Sequence, residues 1–245
     1  MNIKQRIKSG YYVYGTWCLL PSPEVINVIA KSGLDFVFID MEHGSVNDYT
    51  NVGRMIQSAQ VEGCSAIVRV PKLQEDYILK ALDVGSDGII VPHIQTHSQA
   101  FNVVRYSKYF PEGDRGYTPY TRSGGYHYEE DYIKKENARL LNMIIIEDND
   151  GIDNLEAICK LPDIDVVYIG VYDISVSLGI AGQTKDKRVT KILEDCCKII
   201  KDSGKAIGCM YHNLIELEHL KNLGVTIFAY SVDTAVLYNG YRGIK

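Results

Sequence analysis

The stretch Phe36-Val37-Phe38-Ile39-Asp40-Met41-Glu42-His43-Gly44 runs an apolar segment straight into two carboxylates, an imidazole and a glycine. Such groups are costly in a core and suited to proton transfer or ion binding at a rim. Taken alone the stretch has two readings: a site, or an Asp40 that caps the next helix beside a His43 solvated in a loop. Other reactive side chains follow apolar runs in the same way. Arg69 ends Ser65-Ala66-Ile67-Val68-Arg69, Glu147 follows Met143-Ile144-Ile145-Ile146, and Asp173 closes Gly170-Val171-Tyr172-Asp173. Arg69 offers a planar fork for a carboxylate, a phosphate or a developing enolate; it also suits pairing with Asp40 or Glu147 to close a strand end. Two carboxylate oxygens, with water and substrate completing an octahedron, suit Mg2+ or Mn2+. The competing reading for Glu147 and Asp173 is a salt bridge to Arg69 alone. Zinc is disfavoured, because the histidines do not fall at paired ligand spacing.

These residues are far apart in sequence, so a scaffold must gather them. Strand-like and helix-like segments alternate along the whole chain. Strands are expected at 14–20, 36–40, 65–71, 88–92, 141–147, 166–170, 205–210 and 226–230. The intervening helices are expected from Pro23 with Val25, Ile26, Val28 and Ile29 on the apolar face, and then at 47–60, 75–84, 98–109, near 137, 152–161, 189–203 and 214–222, with a loop after the sixth strand. Ser22 is placed to cap the first of these with Pro23 at its first position, and Gly204 to end the seventh as a left-handed cap. Eight such units in one unbroken domain, residues 1–245, predict an α/β fold of the (β/α)8 TIM-barrel type. An open doubly wound sheet would show a Gly-rich loop after the first strand, where Trp17-Cys18-Leu19-Leu20-Pro21 stands instead. In a barrel the carboxyl ends of the strands meet at one mouth. Trp17, Asp40, Glu42, His43, Arg69, His93, Glu147 and Gly170 through Asp173 then converge there. His212 follows another buried strand and could line the same mouth, whereas His97, His127 and His219 read as surface residues.

Composition removes several classes of function. A net charge of −5 with no Lys/Arg stripe gives no reason to expect nucleic acid. No apolar run approaches the ~18 residues of a membrane span, and residues 1–10 lack a secretory signal's apolar region, so a cytoplasmic protein is expected. The six cysteines, Cys18, Cys64, Cys159, Cys196, Cys197 and Cys209, form no C-x-x-C pair and read as buried reduced thiols. There is no Gly-x-Ser-x-Gly elbow for a serine hydrolase, and no lysine at a central strand end for a Schiff-base aldolase. The turns Tyr211-His212-Asn213 and Ser231-Val232-Asp233 lack phosphate-cradling glycines, which favours a small carboxylate substrate over a sugar phosphate.

Gly15-Thr16-Trp17, Ile39-Asp40-Met41-Glu42-His43-Gly44, Val68-Arg69-Val70-Pro71, Leu82-Asp83-Val84-Gly85, Pro111-Glu112-Gly113-Asp114-Arg115-Gly116, Ile146-Glu147 and Ile169-Gly170-x-x-Asp173-Ile174-Ser175-x-x-Leu178-Gly179 occur in that order. This ordered set resembles the HpcH/HpaI aldolase family, the metal-dependent class II pyruvate aldolases, over nearly the whole chain. The resemblance implies that Glu147 and Asp173 bind a divalent metal, Mg2+ or Mn2+ first and Co2+ after them, chelated by the carboxylate and keto oxygens of pyruvate. It implies substrate contacts from Trp17, Arg69, and the backbone amides of Tyr172 and Asp173. Arg69 would stabilise the enolate and His43 would handle the aldol hydroxyl proton, supported by Asp83 of a neighbouring subunit. It also implies a homo-oligomer, a hexamer with exchanged carboxyl-terminal helices. Against that exchange, about fifteen residues follow the eighth strand, room for ~20 Å of helix.

The chain departs from the family pattern at Gly170-Val171, where Gly-Pro is usual, at Ile145, and in the acidic Asp148-Asn149-Asp150. The aromatic segment at 113–132, with Tyr117, Tyr120 and Arg122, suits recognition of a polyol- or sugar-like aldehyde, and an oligomer interface would explain it equally well. The expected activity is aldol cleavage or formation between pyruvate and an aldehyde through 4-hydroxy-2-oxo acids. Oxaloacetate decarboxylation or CoA-ester lysis at the same enolate site, or non-catalytic binding on this scaffold, are the alternatives.

Overall fold

Alternating side-chain direction along the strands determines how the chain packs. In Phe36–Asp40, Phe36 and Phe38 enter one apolar cluster while Val37 and Ile39 enter another. A strand buried on both faces belongs in a parallel sheet covered by helices. The computed structural model describes residues 1–244. Its strands are β1 (Val13–Cys18), β2 (Phe36–Asp40), β3 (Ser65–Arg69), β4 (Gly88–Val91), β5 (Leu141–Ile146), β6 (Val166–Ile169), β7 (Ala206–Tyr211) and β8 (Ile227–Val232). They close in chain order into a parallel barrel, with β8 pairing back to β1. The expected (β/α)8 TIM barrel is therefore the fold.

The helices are α1 (Ile3–Lys8), α2 (Pro23–Lys31), α3 (Tyr49–Gln60), α4 (Glu75–Asp83), α5 (His97–Ser107), α6 (Tyr132–Arg139), α7 (Asn149–Asp153), α8 (Leu155–Ile158), α9 (Val171–Ser177), α10 (Lys187–Asp202), α11 (Leu214–Asn222) and α12 (Asp233–Arg242). The larger apolar cluster lies between barrel and helices. The smaller one fills the barrel with Trp17, Phe36, Phe38, Ile67, Met143, Ile145 and Tyr168, and is closed below by Ile3 and Ile7 of α1. Ser22 caps α2 ahead of Pro23, and Gly204 takes φ +77 directly after α10, both as expected.

Five local readings change. Within residues 1–10, Ile3–Lys8 form α1, because Asn2 and Gln5 cap each other reciprocally and Ile3 and Ile7 bury one face. The helix expected at 152–161 is instead α7 and α8, meeting at Asn154. The loop after β6 opens with α9, and the tail after β8 forms α12, a 10-residue helix. Asp40 does not cap α3; Asp48 does, accepting from the Asn51 amide. All six cysteines are buried free thiols. Among the described residues, no helix is long and apolar enough to cross a membrane.

Candidate active site

Period-two geometry carries the barrel's interior parity up to its mouth. Trp17 points inward two residues beyond Gly15, Asp40 two beyond Phe38, Arg69 two beyond Ile67, and Glu147 two beyond Ile145. Trp17, Asp40, His43, Arg69, Glu147, Gly170, Tyr172, Asp173, Met210 and His212 line one cleft of about 480 Å³. Of the residues singled out from sequence, Trp17, His43, Arg69, Glu147, Tyr172 and Asp173 are thus brought together.

Asp40 and Arg69 face each other in the β2–β3 register. Arg69 Nε donates to Asp40 Oδ1 at 2.8 Å, Nη2 donates to Asp40 Oδ2, and Nη1 lies 2.9 Å from Glu42 Oε2. The guanidinium carbon sits 4.5 Å from the centre of the Trp17 ring, whose Nε1 donates to the Tyr168 hydroxyl at 3.1 Å. Burial alone would lower the Arg69 pKa; the hydrogen bond and charge of Asp40, with Glu42 and Glu147, carry it above its ordinary value. Two of its five N–H groups donate to Asp40 and Nη1 is ion-paired with Glu42, which leaves part of the fork for a ligand. Asp40 also accepts from the amides of Glu42, at 2.9 Å, and His43, at 3.2 Å. That fixes the turn which presents the exposed His43 ring to the cleft.

Glu147 is only 4% exposed, and among the described residues no lysine or arginine is paired with it. Its neighbours are His93, whose amide donates to Oε1 at 2.7 Å and whose Nδ1 lies 3.0 Å from the same oxygen. Burial pushes the Glu147 carboxyl up to about 7, with Asp173 and Glu42 adding to the rise and His93 opposing it. A Cβ on Gly170 would stand 2.8 Å from Glu147 Cβ and 3.0 Å from Oε2, so only glycine lets α9 start this close to the carboxylate. Asp173 then falls in the first turn of α9, which no side chain caps. A desolvated carboxylate beside a second acid, without a permanent cation, fits a hard divalent ion. Among the described residues, no three His, Cys, Asp or Glu side chains are gathered closely enough to hold an ion as they stand.

Asp83 lies elsewhere within the chain. It accepts from Arg115 Nη2 at 2.8 Å and lines a separate cavity with Tyr49, Thr121, Arg122 and Tyr126. Arg122 turns to Gln60 and the carbonyls of Val84 and Gly85, while Tyr117 packs edge-on against Tyr109. The expectation that Tyr117, Tyr120 and Arg122 meet the aldehyde is thus not met within one chain. The residue that sequence reasoning undervalued is His93. Its only signal was its place just beyond a buried strand, shared with His212, which bonds Tyr172 across the cleft rim at 3.0 Å.

Residues 13–240 match the HpcH/HpaI aldolase/citrate lyase family. The chain is 30% identical over 245 residues to a hydroxypyruvate/pyruvate aldolase of Roseobacter denitrificans, covering 99% of this chain and 95% of the relative. Among solved structures, an HpcH/HpaI aldolase/citrate lyase family protein from Burkholderia cenocepacia superposes with a TM-score of 0.94 at 26% identity, covering 99% and 96% of the two chains. A structure described as citrate synthase SbnG superposes at 0.91 with 30% identity, covering 99% and 95%.

Proposed function

The chain belongs to the HpcH/HpaI aldolase/citrate lyase family, and from that premise we propose that it makes or breaks the carbon–carbon bond between pyruvate, as its enolate, and a polyol- or sugar-like aldehyde. It is a carbon–carbon lyase, like its aldolase relatives. The observation that carries the finer reading is the convergence of His43, Arg69, Glu147 and Asp173 on one cleft.

Glu147 and Asp173 are the residues that would hold a divalent metal, Mg2+, Mn2+ or Co2+. Bound there, the ion would supply positive charge to the carboxylate and keto oxygens of pyruvate as the enolate develops. The uncapped first turn of α9 supports binding of the pyruvate carboxylate by the Tyr172 and Asp173 amides. Arg69, held on two sides by Asp40 and Glu42, aims its spare N–H groups at the enolate oxygen and needs no reorganisation to do so. Trp17 holds the guanidinium in place from below. His43 removes the hydroxyl proton of a 4-hydroxy-2-oxo acid in cleavage and returns it in synthesis. Asp83 would support His43 only from a neighbouring protomer of a homo-oligomer, since its own chain keeps the two apart.

The test incubates the protein with pyruvate, Mn2+ or Mg2+ and a panel of aldehydes, with and without EDTA, and follows pyruvate consumption. Metal-dependent turnover that Glu147→Ala abolishes is expected. Turnover that ignores EDTA, or none with any aldehyde, overturns the reading. The likeness to a citrate synthase favours one second reading, attack by the enolate of a CoA ester on the keto carbon of a 2-oxo acid held in the same cleft, with hydrolysis of the thioester releasing CoA. Substituting acetyl-CoA for the aldehyde tests it in the same assay.

A further inference from the structure

The Tyr168 ring lies across the base of the cleft. It starts from β6, yet its centre stands 5.5 Å from that of Trp17 on β1 and 5.8 Å from that of Phe38 on β2, edge-on to both, so it reaches over the barrel axis. Gly208, its register neighbour on β7, makes the room, since a Cβ there would stand 2.6 Å from Tyr168 Cδ2. The barrel thus gives up one interior side chain to seat this ring. Tyr168 is 3% exposed, and its hydroxyl oxygen accepts from Trp17 Nε1 at 3.1 Å. A phenol also donates, and among the described residues no acceptor is paired with its proton. A buried donor without a partner is costly, and the side left open to this one is the cleft, which Tyr168 lines. Burial carries the phenol well above its ordinary pKa, so the proton is retained.

Pyruvate gives that proton nothing to meet. With the carboxylate on the α9 amides and the keto oxygen at Arg69, the third substituent of the keto carbon turns to what remains of the lining, Trp17, Tyr168 and Met210. A methyl group there leaves the phenol unpaired, whereas a hydroxyl on the same carbon would accept from it. We propose that Tyr168 determines specificity for the enolate-forming substrate, its hydroxyl donating to a hydroxyl on carbon 3 of a 2-oxo acid, so that hydroxypyruvate is preferred over pyruvate. This deepens the aldolase reading given above and rests on it.

The experiment uses the full chain with Mg2+ and reads kcat/KM for hydroxypyruvate and for pyruvate against the same panel of aldehydes, in the wild type and in Tyr168→Phe. Phenylalanine keeps the ring in its socket, and thermal melting checks the fold. Trp17 is the only tryptophan, so its fluorescence reports binding of each 2-oxo acid without aldehyde. The wild type should favour hydroxypyruvate by about tenfold, the scale of one hydrogen bond to an otherwise unpaired donor. Tyr168→Phe should lose that preference in turnover and in binding, with little change for pyruvate. Equal losses for both substrates overturn the proposal, because they mark Tyr168 as a support for Trp17 alone. A wild type indifferent to the hydroxyl, or a preference that survives in Tyr168→Phe, also overturns it, and each of these leaves the aldolase reading intact. A wild type inactive with both substrates and every aldehyde overturns both.

Discussion

At the floor of the barrel the Lys4 ammonium is buried 2.9 Å from Asp165 and donates to the Leu140 carbonyl at 2.7 Å. At the mouth Glu147 is equally buried and meets one imidazole and one amide. The floor repeats its pattern nearby: Lys205 reaches the carbonyls of Leu161 and Ile164. Floor charges are neutralised by the fold itself, and Asp165 adds a bond from the Asn142 amide. At the mouth Asp40 and Glu42 are treated so, through Arg69, while Glu147, Asp173 and His43 keep unused capacity facing the cleft. One scaffold therefore holds two kinds of buried charge, one spent on cohesion and the other left unspent for a ligand. Barrels in general separate stability from chemistry along this axis.

The sharpest way to break the contrast is to remove charge at the mouth. Glu147→Gln keeps the shape and removes the anion, so pyruvate-dependent turnover should fall about a thousandfold or more, the scale of a lost Lewis-acid contribution. The variant's melting temperature should hold or rise, since an unpaired buried carboxylate disfavours folding. A parallel fall in melting temperature would mean that Glu147 belongs with the floor charges. Arg69→Lys is next. It keeps one positive charge but loses the fork between Asp40 and Glu42, and kcat should drop roughly 100-fold, with a smaller change in KM.

These assignments also mark what could be read from sequence. Trp17, Arg69 and Glu147 were legible because each ends an apolar run whose parity fixes its direction. Asp40 was legible as a site residue and as one of two partners open to Arg69, but the choice of Asp40 over Glu147 rests on a register between strands 29 residues apart that is invisible until the barrel closes. His93 was placed at the mouth by the buried strand before it but given no partner, because a left-handed turn and a carboxylate 54 residues away leave no local signal. Helices α1 and α12 were missed for a different reason. α12 fully buries none of its apolar side chains, and α1 is stabilised by plugging the barrel rather than by its own periodicity. Segment 113–132 reads as site-like from composition, yet Arg115, Arg122 and Tyr117 are spent on holding α4 and α6 within the chain.

The floor supplies a smaller effect of the opposite kind. Lys4→Met leaves Asp165 buried with only Lys8, 3.7 Å away, and the Asn142 amide. About 3 kcal/mol of stability should be lost, measured by denaturant unfolding, because one partner of a buried pair is removed. The kcat of the folded fraction should be unchanged. A lowered kcat would show that the two ends of the barrel are coupled.

The last contrast separates the two ends by pH. Glu147 titrates near 7 in the folded chain against an ordinary 4.5. Between those values the folded state holds a proton that the unfolded state has released. Stability of the metal-free protein should therefore fall as pH rises from 4.5 to 7 and stay level above. Glu147→Gln should flatten that slope, whereas Lys4→Met should shift the whole curve down and keep it. Divalent binding needs the carboxylate ionised, so Mn2+ affinity should weaken by up to tenfold per pH unit below about 7. Calorimetric titrations at pH 6 in buffers of different ionisation enthalpy should show close to one proton released per ion, and at pH 8 close to none. Equal release at both would place the raised carboxyl somewhere other than beneath the ion.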